Sequence, residues 1–329
     1  MNLYAGQQAA VRLECGMSDW FSVSKGVRQG CILSPHLFSL YTEGIMREVE
    51  QDPRKDLYNE PNIQGLKLRD LRYADDTALL STTTEGLHQL IHSFKEHSEN
   101  KGLFLNIKKT KIVDTDRCKR TSDITVDGET VECLENFEYL GSKIEGNGKC
   151  SNEIKRRTAM AAGQLKKMEK IWKGQDKQTK LKIVRACIFP TAIYGCEGWT
   201  LTTADEKKIN AFEMKCYRRI LRIPWIAKRK NTEILKELKV GQDWLLNNIK
   251  ARKLTYFGHL KRHDSLEKHI LEARLEGKRR KGRPTRRWTE DIKEWLQMSP
   301  TEAGREAQKR EVFRRMVREA TSTQTCQDE

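Results

Sequence analysis

The chain has 329 residues, of which 37% are apolar and 33% are charged, so it is long enough for two domains with a buried core. Its longest apolar stretch, around residues 187–196, contains Pro190 and is too short to cross a bilayer. The net charge of +16 is asymmetric: residues 1–150 carry 19 Lys and Arg against 23 Asp and Glu, whereas residues 151–329 carry 43 against 23. The surplus of 20 positive charges in the second part favours binding to phosphates.

The cysteines and histidines predict no structural metal or disulfide framework. The nine cysteines are irregularly spaced without a Cys-x-x-Cys pair, and charged residues interrupt the first 20 positions, where a secretion signal would lie. We therefore expect reduced thiols in an intracellular protein, nuclear or cytoplasmic, with no signal peptide or transmembrane segment. The histidine pairs with the i, i+4 spacing of a zinc site are His88/His92 and His259/His263. Because no cysteine or carboxylate pattern accompanies them, both pairs are interpreted as solvated helix residues.

The first informative motif is an Arg28-Gln29-Gly30 turn that leads into a helix. Ser34 is expected to be the N-cap of this helix, and Pro35 occupies the first helical position, where proline is favoured. The apolar residues that recur every four positions, and so share one predicted buried face, are Leu37, Tyr41, Ile45 and Val49.

A tight acidic turn, Tyr73-Ala74-Asp75-Asp76, lies between two short apolar stretches, residues 66–73 and 77–80. The pattern predicts a β-hairpin with two adjacent carboxylates at its tip, where Asp tolerates the left-handed backbone of such turns. Adjacent negative charges are unfavourable unless a cation neutralises them, which indicates a site for a hard metal ion. The alternative interpretation is an ordinary solvated turn.

The two motifs, in this order, resemble the palm of a reverse transcriptase, specifically that of non-LTR (LINE-type) retrotransposons. The resemblance implies RNA-directed DNA synthesis on an RNA template and a DNA primer, by nucleotidyl transfer with two divalent ions, Mg²⁺ or Mn²⁺. It assigns metal binding and catalysis to Asp75 and Asp76. It assigns nucleotide and template contacts to Arg28, Gln29, Gly30 and Tyr73.

One expected carboxylate is missing from its place. In this family a further metal-binding Asp lies on a strand well before the Arg-Gln-Gly motif. The only acidic residues among the first 27 are Glu14 and Asp19, and neither has that context. We therefore expect the chain to begin inside the palm, without the fingers and one metal ligand, and to be inactive as a polymerase alone. Whether a second chain supplies the fingers is open.

The segment after the acidic turn continues the resemblance. Residues 87–94 have the apolar spacing of an amphipathic helix, and residues 102–110 resemble the Gly-Leu…Asn…Lys-Thr segment of these polymerases. The resemblance implies that Lys109 is near the nucleotide phosphates and acts as general acid to the pyrophosphate. The alternative is a solvated lysine at a strand edge. Asp127-Gly128 predicts a further hairpin.

Residues 137–142 resemble the primer-grip hairpin, with Tyr139, Leu140 and Gly141 as the grip, and residues 151–173 resemble the thumb. The apolar stripe predicted for this thumb helix is Ala159, Ala162, Leu165, Met168 and Trp172. Its predicted contacts to a nucleic-acid backbone are Lys155, Arg156 and Arg157. The alternative is an amphipathic helix with a solvated lysine face. Further helices are expected at 176–189, 204–221, 231–238 and 242–262.

Residues 278–287 contain seven basic residues in ten. Three interpretations are open: an AT-hook around Gly-Arg-Pro, a nuclear-import patch, or the C-terminal segment of these polymerases, with Trp288, Ile292 and Trp295 on one helix face. The backbone-binding residues predicted here are Lys281, Arg283, Arg286 and Arg287.

The sequence thus predicts an α+β fold in three regions: an incomplete palm of antiparallel strands and packed helices (1–148), a mostly helical thumb (149–262) and a basic extension (263–329). The alternative function is a non-catalytic nucleic-acid-binding protein that uses its basic C-terminal half.

Overall fold

The structure, a computed structural model, describes residues 4–14, 16–115, 124–273 and 286–322, with the backbone alone at position 225. It divides into two compact units, Met1–Ile112 with Thr121–Cys133, and Val113–Arg120 with Leu134–Glu329. Short antiparallel strand pairs and many helices confirm the α+β class. The predicted boundaries at 148 and 262 differ from this division. Within the described ranges, no helix is long and apolar enough to cross a membrane.

In its described residues the N-terminal unit has two α-helices, α1 (Ser34–Gln51) and α2 (Thr84–Asn100), which pack against each other. Its antiparallel pairs are Gln8–Ala9 with Phe21–Ser22, Arg12–Leu13 with Gly16–Met17, Asn62–Ile63 with Leu66–Lys67, Asp70–Tyr73 with Asp76–Leu79, and Thr125–Val126 with Glu129–Thr130. Lys111–Val113 pairs with Glu132–Leu134. The predicted hairpin at Asp127-Gly128 is confirmed, and both turn residues have positive φ.

Helix α1 forms where it is predicted, but two details differ. The N-cap is Leu33, because the Ser34 hydroxyl instead donates to the carbonyl oxygen of Arg28, 2.5 Å away. The predicted buried face is confirmed only in its second half: Ile45 and Val49 are buried, whereas Leu37 is 40% and Tyr41 47% exposed. The core that covers this helix gathers around its C-terminal end.

That core consists of two small clusters that share Leu79. Val49 packs with Tyr58 and Leu90, and a second group contains Ile91, Ile112, Ile124, Val126 and Val131. The predicted amphipathic helix is therefore confirmed as α2, whose Leu90 and Ile91 are its most buried apolar side chains. Thr83 begins the helix by accepting a hydrogen bond from the Gly86 N–H, 3.0 Å away.

A buried carboxylate joins the two helices. Asp52, which ends α1 and is 3% exposed, accepts hydrogen bonds from the Arg54 guanidinium (2.6 and 2.8 Å) and from the Ser93 hydroxyl of α2 (2.6 Å). The Nε2 atom of His97 lies 3.2 Å away. The bond from Arg54, opposed by burial and assisted by Ser93, lowers the pKa of Asp52 far below its ordinary value.

The second unit begins with a hairpin of Asn136–Tyr139 and Ser142–Glu145, here called the grip hairpin, and continues with helices. These are α3 (Ser151–Lys167), α4 (Lys177–Ile183), α5 (Phe189–Ala192), α6 (Thr203–Ile220), α7 (Asn231–Leu238), α8 (Trp244–Arg262), α9 (Leu266–Glu272), α10 (Trp288–Leu296), α11 (Pro300–Gln308) and α12 (Arg310–Thr321). The four further predicted helices are confirmed, and a π-helix, Val184–Ile188, connects α4 to α5.

The core of this unit is larger and includes the fully buried aromatic side chains of Trp172, Phe189 and Tyr217. The apolar stripe predicted for α3 is partly wrong. The buried face repeats at Ile154, Ala161 and Leu165, so Ala159 is exposed. The α-helix ends at Lys167, and a 3-10 turn, Met168–Lys173, carries Trp172 into the core.

Helix α10 packs against α8 through a buried ion pair. The Nζ atom of Lys253 lies 2.5 Å from Asp291 Oδ2 and 2.6 Å from the carbonyl oxygen of Trp199, and both charged side chains are fully buried. Burial lowers the pKa of Lys253, and the charge of Asp291 opposes that shift. The predicted helix face of α10 is confirmed: Ile292 is buried, and Trp288 and Trp295 pack beside it.

Candidate functional site

The acidic hairpin, residues 70–79, places Tyr73 opposite Asp76, with Ala74 and Asp75 as the turn. The residue with the left-handed backbone is Ala74 (φ 54°), so the prediction that an Asp takes this conformation is wrong. The first predicted strand, 66–73, is divided between two hairpins, because Leu66–Lys67 pairs with Asn62–Ile63 instead.

The tip of the acidic hairpin is open to solvent. Tyr73 is 67% exposed, and Asp75 and Asp76 are exposed as well. Within the described ranges, neither carboxylate accepts a hydrogen bond or forms an ion pair. Paired carboxylate oxygens suit a hard divalent cation, but the described residues contain no group of three or more His, Cys, Asp or Glu placed to hold one.

An ion pair anchors the acidic hairpin to α1. The Arg72 guanidinium lies 2.7 Å from Glu43 of that helix and 2.8 Å from Asp70 on its own strand. The hydrogen bonds from Arg72 and Arg47 lower the pKa of Glu43. The Arg-Gln-Gly turn is tied to the start of the same helix by Ser34, so α1 carries both motifs. Arg72 is not among the site residues predicted from the sequence. Its position two residues after Asp70 is a signal for the pair within the strand, but not for the pair with Glu43.

Lys109 lies in an exposed turn. Its backbone N–H donates to the carbonyl oxygen of Asn106 at 3.1 Å, in a turn that precedes the strand Lys111–Val113. Its ammonium forms no ion pair with the part of the chain that the structure describes, so it is free to meet an anion. The role in catalysis stays a prediction.

At the tip of the grip hairpin, both turn residues have positive φ, 47° at Leu140 and 74° at Gly141. Three side chains from the helical part hold the two turn carbonyls. The Tyr194 hydroxyl donates to the Leu140 oxygen at 3.0 Å, and the guanidinium groups of Arg156 and Arg157 both donate to the Gly141 oxygen, that of Arg156 at 2.5 Å.

The basic residues that the sequence assigns to a nucleic-acid backbone differ in exposure. Lys155 and Arg287 are exposed. Arg157 is 6% exposed and bound to protein atoms, and Arg286 pairs with Asp291 (2.7 Å) and Glu294 (2.5 Å). Lys281 and Arg283, with the proposed AT-hook, lie outside the described residues.

Comparison with known proteins finds a family match for the N-terminal part of the chain. Residues 3–144 match the family model described as reverse transcriptase (RNA-dependent DNA polymerase). This chain contains a reverse-transcriptase domain. The matched range of the domain includes the Arg-Gln-Gly turn, the acidic hairpin, Lys109 and the tip of the grip hairpin, so each of these predicted motifs falls inside it.

Relatives of the reverse-transcriptase domain come from mobile elements. A transposon-derived protein of Caenorhabditis elegans is 25% identical over 244 residues, 70% of this chain and 86% of that protein. The RNA-directed DNA polymerase from mobile element jockey of Drosophila funebris is 22% identical over 73% of this chain. A protein named for the RNA-directed DNA polymerase of transposon X-element, from Drosophila melanogaster, is 24% identical over 86% of this chain.

The chain covers only 26% and 30% of the two Drosophila proteins. These matches identify a reverse-transcriptase-domain protein of non-LTR retrotransposon origin.

Proposed function

We propose that this chain holds a template–primer for RNA-directed DNA synthesis, with Asp75 and Asp76 as its metal-binding carboxylates. The acidic hairpin carries this proposal, because it presents two adjacent carboxylates at an exposed tip without a cationic partner among the described residues. The ion pair from Arg72 to Glu43 fixes the hairpin on α1. That anchor supports a tip with a defined orientation.

The donor atoms at this tip suit Mg²⁺ or Mn²⁺, since both prefer carboxylate oxygens. A divalent ion held there supplies charge stabilisation to nucleotidyl transfer. The chain's own groups would bind and orient the reactants: Tyr73 and the Arg28-Gln29-Gly30 turn at the nucleotide and template, and Lys109 at the phosphates. All of them are exposed.

We also propose that this chain alone does not complete the metal site. Mg²⁺ requires about six oxygen ligands in near-octahedral geometry and loses its water reluctantly. Asp75 and Asp76 come from one turn and can supply only a minority of those oxygens. Binding of the ion is therefore weak, and primer extension requires ligands from elsewhere.

Mn²⁺ titration followed by electron paramagnetic resonance tests the metal assignment. We expect one weak Mn²⁺ site in the wild-type chain, lost in the Asp75→Asn, Asp76→Asn variant. The matched control is Asp19→Asn, Asp56→Asn, which removes the same charge from exposed positions elsewhere. Equal Mn²⁺ binding by all three proteins would contradict the assignment.

A second candidate function is nucleic-acid binding without catalysis. The charge of residues 151–329, with 43 Lys and Arg against 23 Asp and Glu, favours it. This candidate predicts that the Asp75→Asn, Asp76→Asn variant binds template–primer as tightly as the wild type at every Mn²⁺ concentration. The first proposal predicts that Mn²⁺ tightens binding only in the wild type.

A further inference from the structure

Glu153 is a buried carboxylate between α3 and the grip hairpin. It lies in the first turn of α3 and is 3% exposed. Its Oε2 atom accepts hydrogen bonds from the Lys143 backbone N–H at 3.0 Å and from Arg156 Nε at 2.8 Å. Its Oε1 atom accepts from Arg157 Nε at 2.8 Å and from Arg156 at 3.1 Å. One carboxylate thus contacts a hairpin strand and both arginines.

The same two arginines continue to the tip of the hairpin. Both donate to the carbonyl oxygen of Gly141. The Arg157 guanidinium also lies over the ring of Tyr194, 4.3 Å from its centroid, while the hydroxyl of that ring donates to the Leu140 oxygen. Glu153 is therefore the start of a connected set of bonds that ends on both turn carbonyls.

The electrostatics keep this carboxylate charged. Burial alone would raise the pKa of Glu153, but the hydrogen bonds from Arg156, Arg157 and the Lys143 N–H outweigh it and lower the pKa. A charged carboxylate orients the planar guanidinium groups through paired bonds, which an amide cannot reproduce, since its NH₂ group is itself a donor.

We propose that Glu153 is a positioning residue for the primer: through Arg156, Arg157 and Tyr194 it holds the Leu140–Gly141 tip in one orientation. This inference rests on the proposed function and on the primer grip predicted from the sequence, Tyr139, Leu140 and Gly141, which lies at the tip of the grip hairpin. It gives Arg157 a task different from the backbone contact predicted from the sequence, because its guanidinium is occupied by protein groups. The exposed Lys155, one residue before this pair, keeps the predicted contact with phosphates.

The backbone of the tip explains why such support is required. Leu140 has a φ of 47°, a left-handed conformation that is unfavourable for a residue with a Cβ atom. Without the bonds to its carbonyl groups the turn is free to adopt other conformations. The expected consequence is a weaker preference for a recessed 3′ end, while general affinity for duplex, which comes from exposed basic side chains elsewhere, is retained.

The test compares two single variants of the full chain, Glu153→Gln and Tyr194→Phe, with the wild type. Their matched controls, outside the network, are Glu169→Gln and Tyr256→Phe. The Tyr194→Phe change removes a single hydroxyl group and retains the ring, so its folding is preserved. The first readout is hydrogen exchange of residues 136–145 without nucleic acid. The second is the ratio of affinities for a recessed-end template–primer and a blunt duplex of equal length.

We expect faster exchange in residues 136–145, by about ten-fold for Glu153→Gln, and an affinity ratio that falls several-fold in both test variants and in neither control. Unchanged exchange in both variants would overturn the positioning role. Faster exchange with an unchanged ratio would overturn the link to the primer. A wild-type ratio of one would instead contradict the proposed function, and the exchange result would still decide whether Glu153 orders the hairpin.

Discussion

At the scale of single residues, Gly86 has the least space for a side chain among the glycines that the structure describes in the N-terminal unit. A Cβ atom there would lie 2.5 Å from the carbonyl oxygen of Tyr58 and 2.7 Å from the Ser81 hydroxyl. We expect Gly86→Ala to lower the free energy of unfolding by about 1–3 kcal/mol, measured by urea denaturation. Gly44→Ala is the control, since a Cβ at that helical position meets no atom within 4 Å. Its effect should be neutral or slightly stabilising.

Asp52 makes the stability of the same unit depend on acid pH. Its folded pKa lies below the unfolded value of about 3.9, so its stabilisation is complete above that pH and is lost as the pH falls through the folded value. Asp52→Asn should cost about 2–3 kcal/mol at pH 7, and the difference from wild type should shrink below pH 3.9 in urea unfolding. The exposed Asp56→Asn is the control, and a pH-independent difference would contradict this explanation.

At the scale of elements, the ion pair of Lys253 and Asp291 holds α10 against α8. Lys253→Met leaves a buried carboxylate without its nearest cation, and we expect a loss of about 3–5 kcal/mol in unfolding free energy. The double change Lys253→Met, Asp291→Leu should recover only part of that loss, because Asp291 also accepts hydrogen bonds from Arg286 and from the Leu201 N–H, which leucine cannot accept. A double variant as unstable as the single one would show that the pair itself is indispensable.

The positions of helices could be predicted from the sequence more reliably than which residues of each helix are buried. The periodicity of residues 204–221 and 242–262 predicts α6 and α8 closely, because local spacing alone determines an amphipathic helix. The same periodicity in α1 predicts a buried Leu37 and Tyr41, which are exposed. Burial depends on contacts between distant segments, and a repeat along one helix contains no information about them. The π-helix in Val184–Ile188 has no sequence signal that we recognise.

In the candidate site, too, local turns could be predicted from the sequence, whereas contacts between distant segments could not. The acidic turn is visible in the sequence, because short turns have strong local residue preferences. The grip hairpin is predicted from the resemblance alone, since its left-handed Leu140 follows no such preference. Neither Glu153 nor the anchor between Arg72 and Glu43 could be predicted, because each joins residues that only the fold brings together. Counting basic residues also could not separate the buried Arg157 from the exposed Lys155.

At the scale of the whole molecule, binding to nucleic acid should follow the charge asymmetry. We expect duplex affinity to fall by about 10³-fold between about 50 and 200 mM NaCl, because phosphate contacts release counterions. Lys166→Glu, Lys170→Glu, at exposed positions of the segment 151–173, should weaken duplex binding more than an equal charge change elsewhere. The control for that comparison is Lys207→Glu, Lys215→Glu, on exposed positions of α6. Fluorescence anisotropy measures the duplex affinity of both double variants. Equal losses of affinity in the two would show that only total charge matters.

Primer extension on an RNA template at low salt, with Mg²⁺ or Mn²⁺, tests the incomplete metal site most directly when the Asp75→Asn, Asp76→Asn variant is assayed beside the wild type. We expect the wild-type chain to bind the template–primer but to extend it no further than the variant does. Extension by the wild type that the double substitution abolishes would contradict the claim of an incomplete metal site, and would make this chain a working polymerase.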